Sequence, residues 1–454
     1  MNSLQTLKLS PPALRPDKLT WFRFGNVGQK VLLTTDTGEW HALTPDAFSD
    51  LISGSLTEED PDYSTLVRKG FIRDGFDLEL HAGHLRRTKR TVFAGATQHR
   101  IHLSTASQAL PMEQAKAIVD HIFAGSAESF TLSLIQGPKD PDPNIIAFLH
   151  EFAEEKNKYE RRDLFFDLHS SLSGLTDAMI AKLIEKRIQI RAFFDGDAAV
   201  HDAQRHLRGA PDHATALQRI QALNAAAEEA GLGKDVYSTF GEVQVGKAAL
   251  SKAKGIVAGL AEAGIREFRV APILEGDDAI TAADYGQFVR NVMACLVEQE
   301  GDEEALREVQ TDALLTRIRT GDVADSLVMS SAPSNGYNAR SYAPDGNIFP
   351  SCSALQLNES GDPIFLLGNV ATESAEDIAN HPTIRSLMVA SLTDCLPGYQ
   401  HLWSTPYIGV DPVAAYRSTG DLFAKMPTSA NHKATQALVE AVFLHVIDDD
   451  DDGE

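Results

Sequence analysis

The segment FFDGDAAVHDAQRHLRG (193–209) carries the side chains of this chain that are best suited to acid–base chemistry. Asp195, His201 and Arg205 supply a carboxylate, an imidazole and a guanidinium, which can relay a proton or hold an anion. The same residue types also hydrogen-bond the main chain at strand-to-helix turns, and Asp-Gly is a common turn former. Short motifs of this kind favour the structural interpretation. A ligand-facing Asp195 at the strand end is the alternative.

Metal chemistry has little support in the residue spacing. The three cysteines, Cys295, Cys352 and Cys395, lie too far apart for a CxxC-type site and predict reduced structural thiols. Cys295 stands in a helical apolar pattern and is expected in the core. No His-x-His or His-Glu-x-x-His spacing is present, so structural histidines are the prediction. The histidines concerned are His102, His169, His201 and His432.

The chain of 454 residues is strongly acidic, with 41 basic and 64 acidic residues and a net charge of −23. Its length predicts two or three domains. The charge disfavours nucleic acid and anionic membranes and suits a basic partner. A secretory signal and a long apolar run are both missing, which predicts a cytoplasmic protein. The run DDDDDGE (448–454) predicts a solvated, disordered tail.

From about residue 98, strand-like segments alternate with amphipathic helical segments. This alternation predicts an α/β fold with a parallel sheet, either a barrel or a doubly wound sheet. Ligands bind at the carboxyl ends of the strands in both architectures. The six predicted strands are RIHLS (100–104), FTLSLI (130–135), LFFDL (164–168), IQIRAFF (188–194), DVYSTFGEV (235–243) and EFRVAPI (267–273).

The two ends of the chain differ from this central part. At the N-terminal end, VLLTT (31–35) predicts a strand, and a segment with a Thr cap and a final Gly predicts a helix over 44–54. At the C-terminal end, a P-D-G turn predicts a hairpin over 339–351. Residues 396–429 are rich in loops, and a loop of this length needs a staple or a function.

The order of these elements and the amino-acid sequences of three segments resemble those of one family. The chain looks like a radical-SAM peptide maturase with a C-terminal SPASM-type domain, and is most similar to the maturases of His-Xaa-Ser peptide systems. The segments are 193–209, RSYAPDGNIFPS (340–351) and PYIGVDPVAAYRSTGDLFAKMPTS (406–429).

The resemblance implies a partial (β/α)6 parallel barrel of radical-SAM type. It also implies a small N-terminal α+β unit that resembles a peptide-recognition element, and a loop-rich SPASM-like domain. The implied boundaries are 1–92 for the N-terminal unit, 93–320 for the barrel, 321–446 for the SPASM-like domain and 447–454 for the acidic tail.

Members of this family use a [4Fe–4S] cluster, held by three thiolates after the first strand, and S-adenosylmethionine (SAM). In this chain the corresponding loop, after RIHLS, has no cysteine and is short. Ser104 and Thr105 stand at the strand end, and a helix begins near Met112. The resemblance therefore implies that the ligands and their spacer are both lost, so neither a cofactor nor a metal is predicted.

The family's Gly-Gly-Glu-like turn after the second strand, which holds the SAM amino group, reads IQGPKDP here. Gly137 is kept, but Lys139 stands at the acidic position, where a cation would repel the ammonium. Phe193 replaces a small hydroxyl residue after the fourth strand. The residues predicted to form this degenerate pocket are Ser104, Thr105, Gln136, Gly137, Lys139, Phe193, Asp195, His201 and Arg205.

The cysteines that would hold an auxiliary cluster in the SPASM-type domain are also replaced. By resemblance, their positions correspond to Tyr399, Leu402, Ile408 and His432. Cys352 and Cys395 remain nearby, but two thiols cannot complete a site of four thiolates. No cluster at this place is the prediction.

These observations predict a catalytically inactive radical-SAM-like protein that binds a precursor peptide, an active radical-SAM maturase, or both, during ribosomal peptide modification. A peptide would add a strand beside Val31, Leu32, Leu33 and Thr34. Alternatively, the N-terminal unit only packs against the barrel. The alternative function is a cluster-free binder of a SAM- or nucleotide-like molecule, or an enzyme repurposed on this scaffold. Neither nucleic acid nor membrane is an expected partner.

Overall fold

The computed structural model describes residues 16–88, 96–205, 209–233, 237–298, 305–321, 336–393, 396–423 and 425–452. The chain opens with a three-stranded antiparallel sheet and three helices: β1 (Arg23–Val27), β2 (Lys30–Thr34), β3 (Trp40–Leu43), α1 (Pro45–Ser53), α2 (Tyr63–Arg68) and α3 (Leu78–Thr88). Helix α1 forms as predicted, because Thr44 accepts the Ala47 N–H and Gly54 ends the helix in the left-handed region.

The central part alternates strands and helices. Its elements are β4 (Gln98–His102), α4 (Met112–Phe123), β5 (Ser129–Ile135), α5 (Pro143–Glu160), β6 (Asp163–Ser170), α6 (Asp177–Glu185), β7 (Gln189–Ala192), α7 (Ala198–Gln204), α8 (His213–Glu229), β8 (Phe240–Val245), α9 (Ala253–Glu262), β9 (Glu267–Pro272), α10 (Ala282–Val297), β10 (Arg307–Glu308) and α11 (Val309–Thr320). All six predicted strands are present, although β8 begins later than predicted. Tyr237 and Thr239 instead donate hydrogen bonds to Ile188 O and Asn224 Oδ1.

The C-terminal part adds a hairpin and further helices. Its elements are β11 (Ala339–Tyr342), β12 (Asn347–Phe349), α12 (Cys352–Glu359), β13 (Gly368–Asn369), α13 (Ala375–Ala379), α14 (Pro382–Ala390), α15 (Pro412–Thr419) and α16 (Ala430–Asp452). The predicted hairpin corresponds to β11 and β12. None of the helices in the described part of the chain is both long and apolar enough to span a bilayer.

One sheet joins the central and C-terminal parts, in the order β10-β9-β8-β7-β6-β5-β4-β11-β12-β13. Strands β4 to β9 are parallel to their neighbours, and β11 extends them in parallel beside β4. Along each strand one face contributes apolar residues to the core shared with the helices, such as Ile101, Leu132 and Leu168. The opposite face, called here the inner face, carries polar residues. This arrangement confirms the predicted α/β partial barrel.

Helix α16 extends into the acidic run at the end of the chain. Its buried residues, such as Val439 and Ile447, pack into the core, and the helix continues to Asp452. Arg319 and His445 both lie within ion-pair distance of Asp449, at 3.4 and 3.5 Å. The prediction of a disordered tail is therefore wrong for residues 448–452. The packing of the helix and the neighbouring Arg319 guanidinium offset the repulsion between the acidic side chains and the helix carboxyl end.

The ring of Phe443 on α16 connects distant parts of the chain. It is fully buried. It makes edge contacts with Trp40 of β3, Trp403 and Tyr407, at centroid distances of 5.4, 5.5 and 5.0 Å. Edge-to-face aromatic pairs add to the free energy of burial. This cluster holds the N-terminal unit against the last helix and the loop-rich segment.

Replacing Phe443→Ala should lower the free energy of unfolding by about 3–5 kcal/mol, because it leaves a cavity between three rings. Urea unfolding gives the size of the loss. Amide hydrogen exchange should show faster exchange in β1 to β3. The matched control is Phe423→Ala, since the side chain of Phe423 is 44 % exposed and should matter little. Equal losses in both variants would contradict the connecting role of Phe443.

Candidate functional site

The turn after β4 is closed by its own hydrogen bonds. The Thr105 N–H donates to Gln108 O at 2.8 Å, and the Leu110 N–H donates to Leu103 O at 2.9 Å. Ser104 and Thr105 are both buried. The connection from strand to helix is thus a tight turn closed by main-chain hydrogen bonds.

The turn after β5 packs directly on the turn after β4. A Cβ atom on Gly137 would lie 2.0 Å from Ser104 O, so the two main chains are in contact. The Lys139 N–H donates to Ser104 Oγ at 3.2 Å, and Lys139 itself is exposed. The structure therefore brings Ser104, Gly137 and Lys139 together at neighbouring strand ends, where the two turns pack directly against each other. The residues at this site do not fit a [4Fe–4S] cluster, since they offer neither thiolates nor room.

Gln136 links the ends of β5 and β6. Its Oε1 accepts hydrogen bonds from Ser170 Oγ at 2.6 Å and the Ser171 N–H at 3.2 Å. Its Nε2 donates to Ser173 Oγ at 2.8 Å. Ser173 Oγ also donates to Asp140 Oδ1 at 3.1 Å. A hydrogen-bond network that includes a carboxylate therefore occupies the turn that the resemblance predicts to bind the SAM amino group.

Asp195 and Arg205 form a buried ion pair after β7. Arg205 Nε and Nη2 donate to both carboxylate oxygens at 2.9–3.1 Å, and the Gln244 N–H also donates to the carboxylate. Arg205 Nη2 donates to Glu242 O at 2.6 Å as well. The guanidinium carbon lies 5.4 Å from the centroid of the Phe193 ring. This pair joins β7, α7 and β8, and its hydrogen-bonding groups are used within the protein.

His201 contributes to the same turn. Its Nδ1 accepts the Asp195 N–H at 3.4 Å, and its Nε2 then donates to Pro211 O at 3.2 Å. Burial lowers the pKa of His201, which favours the neutral ring. Both ring nitrogens are bonded to the main chain. The geometry of Asp195, His201 and Arg205 thus supports the structural interpretation over acid–base catalysis.

The inner face of the sheet carries a row of charges that sequence reasoning missed. Arg191 Nε on β7 donates to Asp167 Oδ2 on β6 at 2.9 Å. Arg269 on β9 pairs with Glu242 on β8 at 2.8 Å, and Arg191 lies 3.7 Å from the same carboxylate. Acidic and basic side chains therefore alternate across the four adjacent strands β6 to β9. All four residues stood in predicted strands, and their alternation with apolar neighbours was the available signal.

These charges are held in place yet partly open to solvent. Burial raises the pKa of Asp167, but the His169 hydrogen bond and the charges of His169 and Arg191 outweigh it and lower the pKa to about 2. The Arg191 guanidinium stacks 4.3 Å from the Phe240 ring centroid. The side chains of Arg191 and Arg269 are 35 % and 40 % exposed. The inner face can therefore bind a charged or zwitterionic group.

The four positions that the resemblance predicts to correspond to auxiliary-cluster ligands are occupied by packed side chains and one hydrogen bond. Tyr399 and His432 lie together: the hydroxyl and Nδ1 are 3.0 Å apart, and the rings meet edge to face. Ile408 is buried in the core, and Leu402 packs against it. Burial lowers the pKa of His432 to about 4. The described residues contain no group of three His, Cys, Asp or Glu side chains able to hold a metal, and Cys395 lies outside them.

The predicted peptide-binding strand is not available. Strand β2, which contains Val31, Leu32, Leu33 and Thr34, is the central strand and pairs with β1 on one side and β3 on the other. The prediction of strand addition at these four residues is therefore wrong, because the two neighbouring strands were not recognised from the sequence. The outer edge of β3 pairs with no strand among the described residues.

Comparison with known proteins gives a match at the level of fold. No protein-family model and no curated protein matches this sequence. The structure is similar to anSMEcpe with bound AdoMet, with a TM-score of 0.58 and 12 % identity over 79 % of this chain and 100 % of that chain. The fold is that of the radical-SAM maturases.

A second structure is "Native anSMEcpe with bound AdoMet and Cp18Cys peptide", with a TM-score of 0.60 and 12 % identity over 79 % of this chain and 99 % of that chain. Streptococcus suis SuiB bound to S-adenosylmethionine aligns more weakly, with a TM-score of 0.47 and 12 % identity over 81 % of this chain and 89 % of that chain. At these identities the anSMEcpe matches establish the fold, and the His-Xaa-Ser subtype stays a prediction.

Replacing Asp195→Asn should destabilise the protein by about 3–5 kcal/mol, because it leaves the buried Arg205 without its counter-charge. Urea unfolding measures the loss. The control is Glu155→Gln, which removes an exposed pair with Lys158 and should change nothing measurable. A variant with wild-type stability would contradict the structural role of Asp195.

The buried His432 predicts a loss of stability in acid. Its folded pKa of about 4 lies below the ordinary value of 6.5, so the unfolded chain binds more protons between these values. The free energy of unfolding should fall as pH drops below about 6.5, with at most about 1.4 kcal/mol per pH unit from this residue. Urea unfolding between pH of about 7.5 and about 5 should show a flatter profile for His432→Gln. The exposed His401→Gln should keep the wild-type profile, and identical profiles for all three proteins would contradict the assignment.

Proposed function

We propose that this protein is a catalytically inactive radical-SAM-like protein that serves as a binding or scaffolding partner in ribosomally synthesised peptide modification. It binds a precursor peptide, an active radical-SAM maturase, or both. The observation that carries the proposal is the closed turn at Ser104, which packs on Gly137 where a cluster-binding loop would stand.

The scaffold around that turn is fully ordered by internal contacts. Gln136, Asp195 and Arg205 each have several hydrogen bonds to neighbouring strand ends. Without three thiolates, this end of the barrel has no means to hold the cluster that supplies an electron to SAM. A fold whose strand ends are hydrogen-bonded to one another, but which lacks the thiolates for radical chemistry, supports a role in binding.

Peptide binding is the role that the remaining surfaces support. The anSMEcpe structure with the Cp18Cys peptide gives a peptide-bound example of this fold. The net charge of −23 suits a basic peptide. The outer edge of β3 (Trp40–Leu43) offers main-chain groups for strand addition. The Thr35 N–H donates to Glu39 O, so Thr35 and Glu39 form a hydrogen-bonded pair, and Leu33 and His41 form the next one. Ala42 follows His41 on β3. Because main-chain groups of successive residues point to opposite sides of a strand, the Ala42 N–H points to the outer edge.

A second candidate is a cluster-free binder of a small molecule. The row of Asp167, Arg191, Glu242 and Arg269 favours it, because paired charges on a partly open face can recognise a zwitterion. Isothermal calorimetry with SAM and its products separates this candidate from peptide binding. No heat at millimolar ligand would exclude it.

The peptide proposal predicts a partner that depends on the β3 edge. The tagged full-length protein, purified from its native cells, should carry a peptide or a radical-SAM enzyme that mass spectrometry identifies. Ala42→Pro removes an edge N–H and should reduce peptide recovery about tenfold or more. Glu58→Pro, in an exposed loop, is the control. Equal recovery with both variants would contradict strand addition at β3. Stoichiometric iron and sulfide after anaerobic reconstitution would contradict the proposed lack of radical chemistry.

A further inference from the structure

Two arginines on the inner face of the sheet are each held along one edge of the guanidinium group. Arg191 on β7 donates from Nε to Asp167 Oδ2 at 2.9 Å, and its guanidinium stacks 4.3 Å from the centroid of the Phe240 ring. Arg269 on β9 donates from Nε to Glu242 Oε2 at 3.0 Å, and its Nη2 lies 2.8 Å from the same oxygen. The planes of both guanidinium groups are therefore fixed by contacts within the protein.

The remaining N–H donors of these two side chains are not used within the described part of the chain. Their contacts there involve Nε and Nη1 of Arg191 and Nε and Nη2 of Arg269, which leaves one terminal nitrogen on each. The side chains are 35 % and 40 % exposed. Arginine carries its donors in a planar fork that matches the oxygens of a carboxylate or a phosphate. Each arginine therefore keeps a donor for such a group.

Glu242 brings the two arginines together. Strand β8, which carries Glu242, pairs with β7 on one side and with β9 on the other. The Glu242 carboxylate accepts the Arg269 hydrogen bond on Oε2, and its Oε1 lies 3.7 Å from Arg191 Nη1. Both guanidinium groups thus contact one carboxylate, and their unused nitrogens lie in the same region of the inner face.

The burial of the acidic partners decides the sign of the ligand. Asp167 and Glu242 are buried and already accept hydrogen bonds from the arginines, whereas the arginines are partly exposed. A ligand on the inner face therefore meets N–H donors before it meets carboxylate oxygens. The net charge of −23 repels anions at long range, but salt screens charges beyond about 8 Å. Contacts to the guanidinium groups are much shorter than this distance and favour an anion.

The strand register supports the same sign. The residues level with Arg191 on β6, β5 and β4 are His169, Ile135 and His102, which are directly opposite one another in the parallel pairing. None of these three side chains is acidic. An anion beside Arg191 therefore meets no carboxylate at this level of the three neighbouring strands.

We propose that Arg191 and Arg269 together bind the oxyanion group, a carboxylate or a phosphate, of a small molecule inside the barrel. The oxyanion accepts one hydrogen bond from the unused nitrogen of each arginine, and Glu242 holds the two guanidinium groups in position. This inference rests on the small-molecule candidate function and narrows its ligand from a charged group of either sign to an anionic one. It does not depend on peptide binding at β3.

Isothermal calorimetry of the full chain tests this site at pH of about 7.5, where phosphate is largely dianionic. Inorganic phosphate and malonate are the two oxyanion probes, and ethylenediamine is the cationic comparison. At least one oxyanion should bind with a Kd of about 1 mM or lower, and ethylenediamine should bind more than tenfold more weakly. Tighter binding of phosphate indicates a ligand with a phosphate group, and tighter binding of malonate a carboxylate. No binding of either oxyanion, or equal binding of ethylenediamine, would overturn the proposal.

Two variants place the binding at the arginines. Arg269→Gln should weaken binding of the tighter oxyanion about tenfold, because it removes a charged donor. Arg191→Lys should weaken it about fivefold, because lysine keeps the charge but not the planar fork. The matched control is Arg319→Gln on α11, since Arg319 is 55 % exposed and pairs with Asp449. Unchanged binding in both inner-face variants, or an equal loss in the control, would overturn the proposal.

Circular dichroism verifies that each variant is folded, and Arg269→Lys takes the place of Arg269→Gln if the latter is not. A titration with SAM separates this inference from the candidate function on which it rests. If SAM binds and neither oxyanion does, the small-molecule role stands and the oxyanion site is wrong. If an oxyanion binds through Arg269 and SAM gives no heat, the oxyanion site stands and a SAM-like ligand is excluded.

Discussion

The buried ion pair of Asp195 and Arg205 is the contact on which the mouth of this barrel depends. Asp195 is completely buried and binds Arg205 and the Gln244 N–H, while Arg205 also binds Glu242 O. Two strands and a helix are thereby joined at one point. A buried charge is tolerated only when it is paired and hydrogen-bonded, so these residues cannot change independently.

The glycine beside this pair is under a similar constraint. Gly196 has φ +73, and a Cβ there would lie 2.3 Å from Ile256 O of α9. A Cβ on Gly259 would in turn lie 2.3 Å from Gly196 O. The turn and helix α9 are therefore in main-chain contact. These contacts explain why the FFDG turn requires a glycine beside a buried, paired carboxylate.

The two places at which the resemblance predicts iron–sulfur clusters are filled in different ways. After β4 the loop is short, and Ser104 closes on Gly137 by main-chain contact. At the auxiliary positions, larger side chains pack together, and Tyr399 and His432 satisfy each other by a hydrogen bond. In both places contacts within the chain replace contacts to a group from outside. Charged side chains are kept on the inner face of the sheet, where Arg191 and Arg269 remain partly open to solvent and pair with the buried Asp167 and Glu242.

The sequence by itself determined the six central strands, the helices between them and several caps, because these follow from local periodicity and local hydrogen bonds. Thr44, for example, caps a helix as predicted. It did not reveal β1 and β3, and so mistook the central strand β2 for an edge, because pairing depends on neighbours and not on the strand itself. It also predicted a disordered acidic end, whereas α16, which packs through its own Phe443 against Trp40, Trp403 and Tyr407, continues to Asp452. Only the tertiary structure aligned four charges across separate strands. Such contacts join residues far apart in the chain, and no local pattern records them.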